Sequence, residues 1–251
     1  MTRTYRTLVR RELGSYFVSW TGYVVIAAAL FLLGLCFISL IQALNTEPTD
    51  QPILELFYST YYFWLILLLA APVITMRSFA LEKFTGTIET LMTAPVSDLE
   101  VVLAKFSGAL IFYMLIWLPL VALGLIVRHF GHDPTALDWG TLASTFLGIF
   151  LLGLLFMSLG CFASALTRSL SIAAMLAFAL GISLFLLSFL AVSYTSQPGW
   201  TATLFQHISL LEHMRDFARG VVDTRALVFY LSLTGLFLFL TLKVVESRRW
   251  K

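Results

Sequence analysis

The apolar positions of this chain fall in long uninterrupted runs, not in the short stripes of a water-soluble fold. A membrane span needs roughly 20 mostly apolar residues to cross about 30 Å of hydrocarbon, and the charge-free stretches supply six. The first lies between Glu12 and Glu47 and is most apolar over residues 21–44. The second lies between Glu55 and Arg77, the third between Lys105 and Arg128, and the fourth between Asp138 and Arg168. The fifth follows Arg168 and fades into the turn-rich Tyr194-Thr195-Ser196-Gln197-Pro198-Gly199. The sixth lies between Arg225 and Lys243, whose amine is expected to snorkel at its end. Pro72 and Pro119 fall inside the second and third spans and predict kinks that neighbouring helices must satisfy. The first apolar run is too long for a signal-peptide core and has no small-residue cleavage site, so a retained helix is expected.

Three polar segments do not fit a plain loop. Over residues 3–20, Tyr5, Leu8, Val9, Leu13, Tyr16, Phe17 and Trp20 share one helical face, while Arg3, Arg6, Arg10 and Arg11 lie largely on the other. That pattern predicts an amphipathic helix in the headgroup layer, either a topology anchor or one side of a partner interface. The connection 77–97 carries Glu82-Lys83, a break at Thr85-Gly86-Thr87, and an apolar stripe of Ile88, Leu91 and Met92 with Glu89 off it. Pro95 closes the stripe, and Ser97 with Glu100 forms an S-x-x-E capping box that starts the third span. Two short helices joined at a glycine are expected, as a knob that docks another protein or as an intramolecular lid.

The third segment, 197–220, reads as a re-entrant helical stretch, because backbone that dips towards hydrocarbon must satisfy itself. Leu204, Ile208, Leu211 and Met214 follow helical spacing and are expected to pack on the fifth and sixth spans, and a proline at Leu211 is expected to break the helix. Glu212 with Arg215 and Asp216 with Arg219 form i,i+3 pairs. His207 and His213, six residues apart and without a cysteine nearby, sit on different faces. A surface helix fits them better than a zinc site.

Composition agrees with the pattern. The 251 residues are 59% hydrophobic and 12% charged, with a mean hydropathy of +0.91, about half the charge of a soluble domain. A soluble enzyme, a disordered chain and a nucleic-acid-binding module are excluded. Cys36 and Cys161 lie in apolar runs and read as small core hydrophobes. The fold class is therefore an all-α polytopic membrane protein of six transmembrane helices in one domain over 1–251, with membrane lipid as its solvent.

With six spans both termini share a side. Twelve of the sixteen Lys/Arg fall on that side and four on the other, and the connection 45–57 has Glu47, Asp50 and Glu55 but no base. The positive-inside rule then places both termini in the cytoplasm.

No G-x-x-x-x-G-K-[ST], H-E-x-x-H or G-x-S-x-G occurs, so no catalytic residue and no metal or nucleotide site is assigned. The span centres hold no Asp, Glu, Lys or Arg, which disfavours an ion-coupled carrier. Energy must come from another chain, or the protein moves nothing.

These features together resemble an ABC type-2 permease, and more narrowly the gliding-motility-type (GldF-like) permease subunits. The resemblance rests on Pro72-Val73-Ile74-Thr75-Met76-Arg77-Ser78-Phe79, Glu82-Lys83-x2-Gly86-Thr87-x-Glu89-x-Leu91 and Thr93-x-Pro95-Val96-Ser97-Asp98. It also rests on His213-x3-Phe217-Ala218-Arg219-Gly220-Val221-Val222-Asp223-Thr224-Arg225 and on Glu246-Ser247-Arg248-Arg249-Trp250. It implies a bacterial inner-membrane subunit paired with a second permease chain, identical or not, each docked to a cytoplasmic ABC ATPase that binds the ATP and Mg. The coupling residues would be Arg77, Glu82, Lys83, Gly86, Thr87, Glu89 and Leu91, flanked by Arg6, Arg10 and Arg11. ATP hydrolysis would drive export, or alternatively pass motion to an extracytoplasmic or auxiliary membrane protein without transport. A membrane-embedded hydrolase using His207, Glu212 and His213 is the weakest reading, because no nucleophile sits beside them.

Overall fold

The structure, a computed structural model, describes residues 2–46, 53–87, 96–130, 138–194 and 207–247. Among these residues the chain forms nine α-helices: α1 (Thr2–Val18), α2 (Trp20–Thr46), α3 (Ile53–Ser59), α4 (Tyr61–Thr85), α5 (Asp98–Phe130), α6 (Trp139–Leu166), α7 (Leu170–Tyr194), α8 (Leu210–Ala218) and α9 (Thr224–Glu246). Six of them, α2, α4, α5, α6, α7 and α9, are long and apolar enough to cross a membrane. All-helical architecture follows from the solvent, because only helices and closed barrels satisfy their own backbone in hydrocarbon.

The bundle is built around α4 and α6. The most apolar stretch of α6 is 72% buried and that of α4 is 67% buried, against 17–22% for α2, α7 and α9. Helix α6 packs on α9, α4, α7, α5 and α8. Small and hydroxyl side chains let these helices approach and bond, as expected where lipid removes the hydrophobic drive between spans. The Ser164 hydroxyl donates to the Met76 carbonyl and accepts from the Phe79 and Ala80 amides, entering the backbone ladder of α4 at 3.0 Å in each case. The rest of the core is aromatic and aliphatic, with Phe63, Tyr113 and Trp117 fully enclosed. Cys36 and Cys161 are buried free thiols within it. Helices α4 and α5 run through Pro72 and Pro119 without interruption.

Two boundaries and one packing relation differ from the sequence reading, while the start of the third span agrees with it. The N-terminal helix stops at Val18, and Trp20 already belongs to the first span. The third span is a 33-residue helix that starts at Asp98, so Lys105 lies two turns inside it. Its start is the expected capping box: the Ser97 amide meets Glu100 Oε2 at 3.4 Å and the Glu100 amide meets Ser97 Oγ at 3.3 Å. The connection 45–57, read as a loop, contains the seven-residue α3, which buries Leu54, Phe57 and Tyr58. Such a short helix has no periodicity to detect. Helix α8 packs mainly on α6 and α3, and less extensively on the fifth span, where the Leu210 amide donates to Ser188, while the His213 ring reaches Phe229 and Tyr230 of the sixth.

Candidate functional site

The charged residues gather at the two ends of the bundle. At the end that carries the termini, α1 lies along the start of α5. The Tyr5 hydroxyl and Ser107 Oγ are 2.7 Å apart, and Tyr16 stacks on Phe112 at 4.7 Å while its hydroxyl donates to the Ile74 carbonyl at 3.2 Å. The exposed face of α1 carries Arg3, Arg6, Arg10 and Arg11, so the helix has the two faces its sequence predicts. Its inner face, however, covers protein.

A four-residue charge cluster fixes that contact. Lys105 Nζ lies 2.7 Å from Glu82 Oε1 and 3.1 Å from Glu12 Oε1, and Arg11 Nη2 lies 2.9 Å from Glu12 and 3.4 Å from Glu82. The Lys105 side chain is only 2% exposed, and its ammonium sits 5.5 Å from the centroid of the Phe79 ring. Glu82 Oε2 is buried without a partner, on the wall of a cavity of about 630 Å³ that Arg11, Glu12, Arg77 and Lys105 also line. Three helices, α1, α4 and α5, meet through opposite charges.

Of the coupling residues expected from the sequence, Arg77 donates to Ser19 and Thr21 at the α1–α2 junction, and Glu82 belongs to the cluster. Lys83 turns inward and is 6% exposed, donating to the Ala165 carbonyl near the end of α6. Gly86 has φ +75° and nothing near the position of an added Cβ, and Thr87 beside it is exposed. Only glycine takes that left-handed turn without strain. Glu89 and Leu91 lie outside the described residues. The sequence reading missed Glu12 and Lys105. A lone acid in a basic helix and a lysine inside an apolar one were the available signals.

At the opposite end, Glu55 of α3 is 6% exposed and accepts a fork from Arg219, Nε at 2.8 Å and Nη2 at 2.7 Å. That bidentate geometry is the strong form of the contact. Arg215 Nε lies 3.6 Å from the same carboxylate. The i,i+3 pairs expected within α8 therefore give way: both guanidiniums turn to Glu55 instead of to Glu212 and Asp216. Burial, more than any neighbouring charge, raises the Glu212 and Asp216 pKa values. Burial also lowers the His213 pKa to about 4, and its Nδ1 has no partner. His207 is exposed in the turn that precedes α8, whereas His213 on the helix is buried, so the helix is not the plain surface helix expected. Residues 197–206 of the expected re-entrant stretch lie outside the described residues.

The motif 218–225 has a local structural reason. Helix α8 starts at Ser209, whose hydroxyl accepts the Glu212 amide at 3.3 Å, and its first amide, Leu210, donates to Ser188 of α7 at 3.0 Å. It ends in a Schellman motif, with Val221 N to Asp216 O at 2.9 Å and Gly220 N to Phe217 O at 3.1 Å. Gly220 takes the left-handed conformation, φ +84°. Asp223 then caps α9 by accepting the Arg225 amide at 2.9 Å. Arg219, Gly220 and Asp223 are thus a clamp, a stop and a start.

Six apolar spans around a hydroxyl-stitched pair make this a multi-pass membrane protein. A search of curated proteins returned no match. The family model described as ABC-2 family transporter protein matches residues 28–245, from within α2 almost to the end of α9, and the chain belongs to that family.

Proposed function

We propose that the chain is the permease subunit of an ATP-driven exporter in a bacterial inner membrane, with both termini cytoplasmic. It pairs with a second permease chain, and a separate cytoplasmic ATPase binding ATP and Mg docks on the element 77–97. The observation that carries this reading is the end of α4, where Glu82 meets Arg11 of α1 and the helix closes on an exposed left-handed glycine. The Glu12–Lys105–Glu82 cluster supports it, because a push on the tip of α4 then moves α5 and α1 as one block. Arg6, Arg10, Arg11, Gly86 and Thr87 form the contact, with Arg77 and Lys83 holding it in place from within. The narrower likeness to gliding-motility-type (GldF-like) subunits rests on the motifs 213–225 and 246–250.

Gly86→Val forces a β-branched residue towards positive φ, a strain of about 1–3 kcal/mol. The variant is expected to insert normally and to recover less ATPase on affinity purification from membranes. Wild-type recovery would remove the turn from the contact.

A second reading, a subunit that passes ATPase motion to an extracytoplasmic protein without transport, draws on the far end. There the Glu55–Arg219 fork, the Ser188–Leu210 bond and a 2.6 Å bond from Ser144 to the Phe217 carbonyl tie α8 to three helices. A large external protein co-eluting with the ATPase, without vectorial transport in vesicles, decides for it.

A further inference from the structure

Between α4 and α7, in the half of the bundle away from the termini, a groove of about 640 Å³ opens towards the bilayer. Trp64, Leu65, Leu68, Phe178, Phe185 and Phe189 form its walls. Trp64 lies 5.0 Å from Phe185, and Phe185 lies 5.3 Å from Phe189, ring to ring. The Trp64 indole N–H is already spent on the Tyr58 carbonyl at 3.2 Å, so these walls face their contents with carbon, and the other polar lining is Tyr58, Tyr61 and the charged residues. Along α7 the wall from Phe178 to Phe189 runs about 16 Å at 1.5 Å per residue. That is half of the roughly 30 Å hydrocarbon core, the depth of one leaflet and one acyl chain.

The mouth of the groove is charged. Glu55, Glu212 and Arg215 stand there. Glu55 is held by Arg219, whereas the Arg215 side chain is 59% exposed and touches Glu55 only at 3.6 Å. Glu212 lies one helical turn away on the same helix. A guanidinium and a carboxylate therefore stand side by side at the headgroup level, above an apolar slot one leaflet deep.

We propose that this groove holds one zwitterionic phospholipid of the ethanolamine class from the leaflet opposite the termini, its phosphate on Arg215 and its ammonium on Glu212. An acyl chain gains little by leaving bulk lipid for apolar side chains, since both are equally apolar. Selection must then come from the head. A phosphatidylglycerol head would set a second anion beside Glu212 and Asp216 with no cation of its own, whereas the ethanolamine head satisfies both signs. The site rests on the bundle and its mouth, and not on any docking of an ATPase.

Retained lipid tests it. The full chain is reconstituted in nanodiscs of equal parts phosphatidylethanolamine and phosphatidylglycerol, re-extracted, washed in detergent, and weighed with its bound lipid by native mass spectrometry. The wild type is expected to keep one phosphatidylethanolamine, enriched roughly tenfold over phosphatidylglycerol by the ammonium–Glu212 contact that phosphatidylglycerol cannot make. Leu65→Trp, at a side chain 38% exposed on the groove wall, is expected to lose the lipid while remaining monodisperse. Glu212→Lys leaves the slot open and should reverse the preference to phosphatidylglycerol, which holds even if the tryptophan variant fails to fold. Equal retention of both lipids by the wild type, or an unchanged preference in Glu212→Lys, overturns the proposal. So does disulfide pairing of two chains through Leu69→Cys in the membrane, which makes the face an interface between copies.

Discussion

Replacing Lys105 with methionine asks whether charge holds the N-terminal helix to the bundle. The ammonium lies 2.7 Å from Glu82 and 3.1 Å from Glu12. At an effective dielectric of about 20 these contacts are worth about 6 and about 5 kcal/mol before solvation. Dehydrating the ammonium takes back several kcal/mol, so the intact cluster contributes little net stability. Methionine, however, removes the attraction and leaves two carboxylates, 14% and 17% exposed, facing each other. Breaking one partner out of a buried pair costs about 3–5 kcal/mol. Arg11 still reaches both carboxylates, which places the expected loss at the lower end.

At about 2–4 °C per kcal/mol for a chain of this size, that loss lowers the Tm of the purified protein by roughly 6–12 °C. Trypsin should also cut after Arg10 and Arg11 faster, because α1 lifts from α5. The double variant Lys105→Met/Glu82→Met relieves the repulsion and should recover about half of the loss, a coupling that a double-mutant cycle reads directly. An unchanged Tm for Lys105→Met, or strictly additive effects in the double variant, would refute the electrostatic clamp.

Other perturbations test the far end and the orientation. Arg219→Ala strips the fork from buried Glu55 and should cost about 1.5–3 kcal/mol, seen as a lower Tm that Glu55→Gln in the same chain partly restores. His213 is held neutral, with its pKa lowered from 6.5 to about 4 by burial. The unfolded chain therefore binds the extra proton first, and stability that is full above pH 6.5 falls as the pH drops towards 4. The loss approaches about 3 kcal/mol at about 1.4 kcal/mol per pKa unit, and His213→Leu should flatten the profile. Cysteines at Thr87 and Ser247 should react with an impermeant reagent only after permeabilisation, and one at Val221 in intact cells. Labelling of position 87 from outside reverses the orientation.

The spans were legible because each is longer and more apolar than any competing element, and the cap at Ser97 and Glu100 because its partners are three residues apart. What the sequence concealed depends on partners far away along the chain. Glu12 and Lys105 look like ordinary flanking charges until α1 folds back on α5. Glu55 looks like a loop acid until Arg219 arrives 164 residues later. The same blindness misdirects a local argument: a proline at Leu211 reads as a helix breaker, yet Ser209 caps α8 and places Leu211 in the first turn, where proline is tolerated. Met214, a turn further on and fully buried, is the position where proline breaks this helix.

The clamp on α1 also sets an order of events during synthesis. Glu12 waits for Lys105, 93 residues downstream, and Tyr5 waits for Ser107, 102 residues downstream. At about 5–20 residues per second, the ribosome takes on the order of 5–20 s to deliver that docking surface. Until then two spans are being threaded while the arginine-rich helix has no protein to rest on. Its amphipathic pattern gives it a berth in the headgroup layer for that interval, and the first helix made settles only after the third span has followed it.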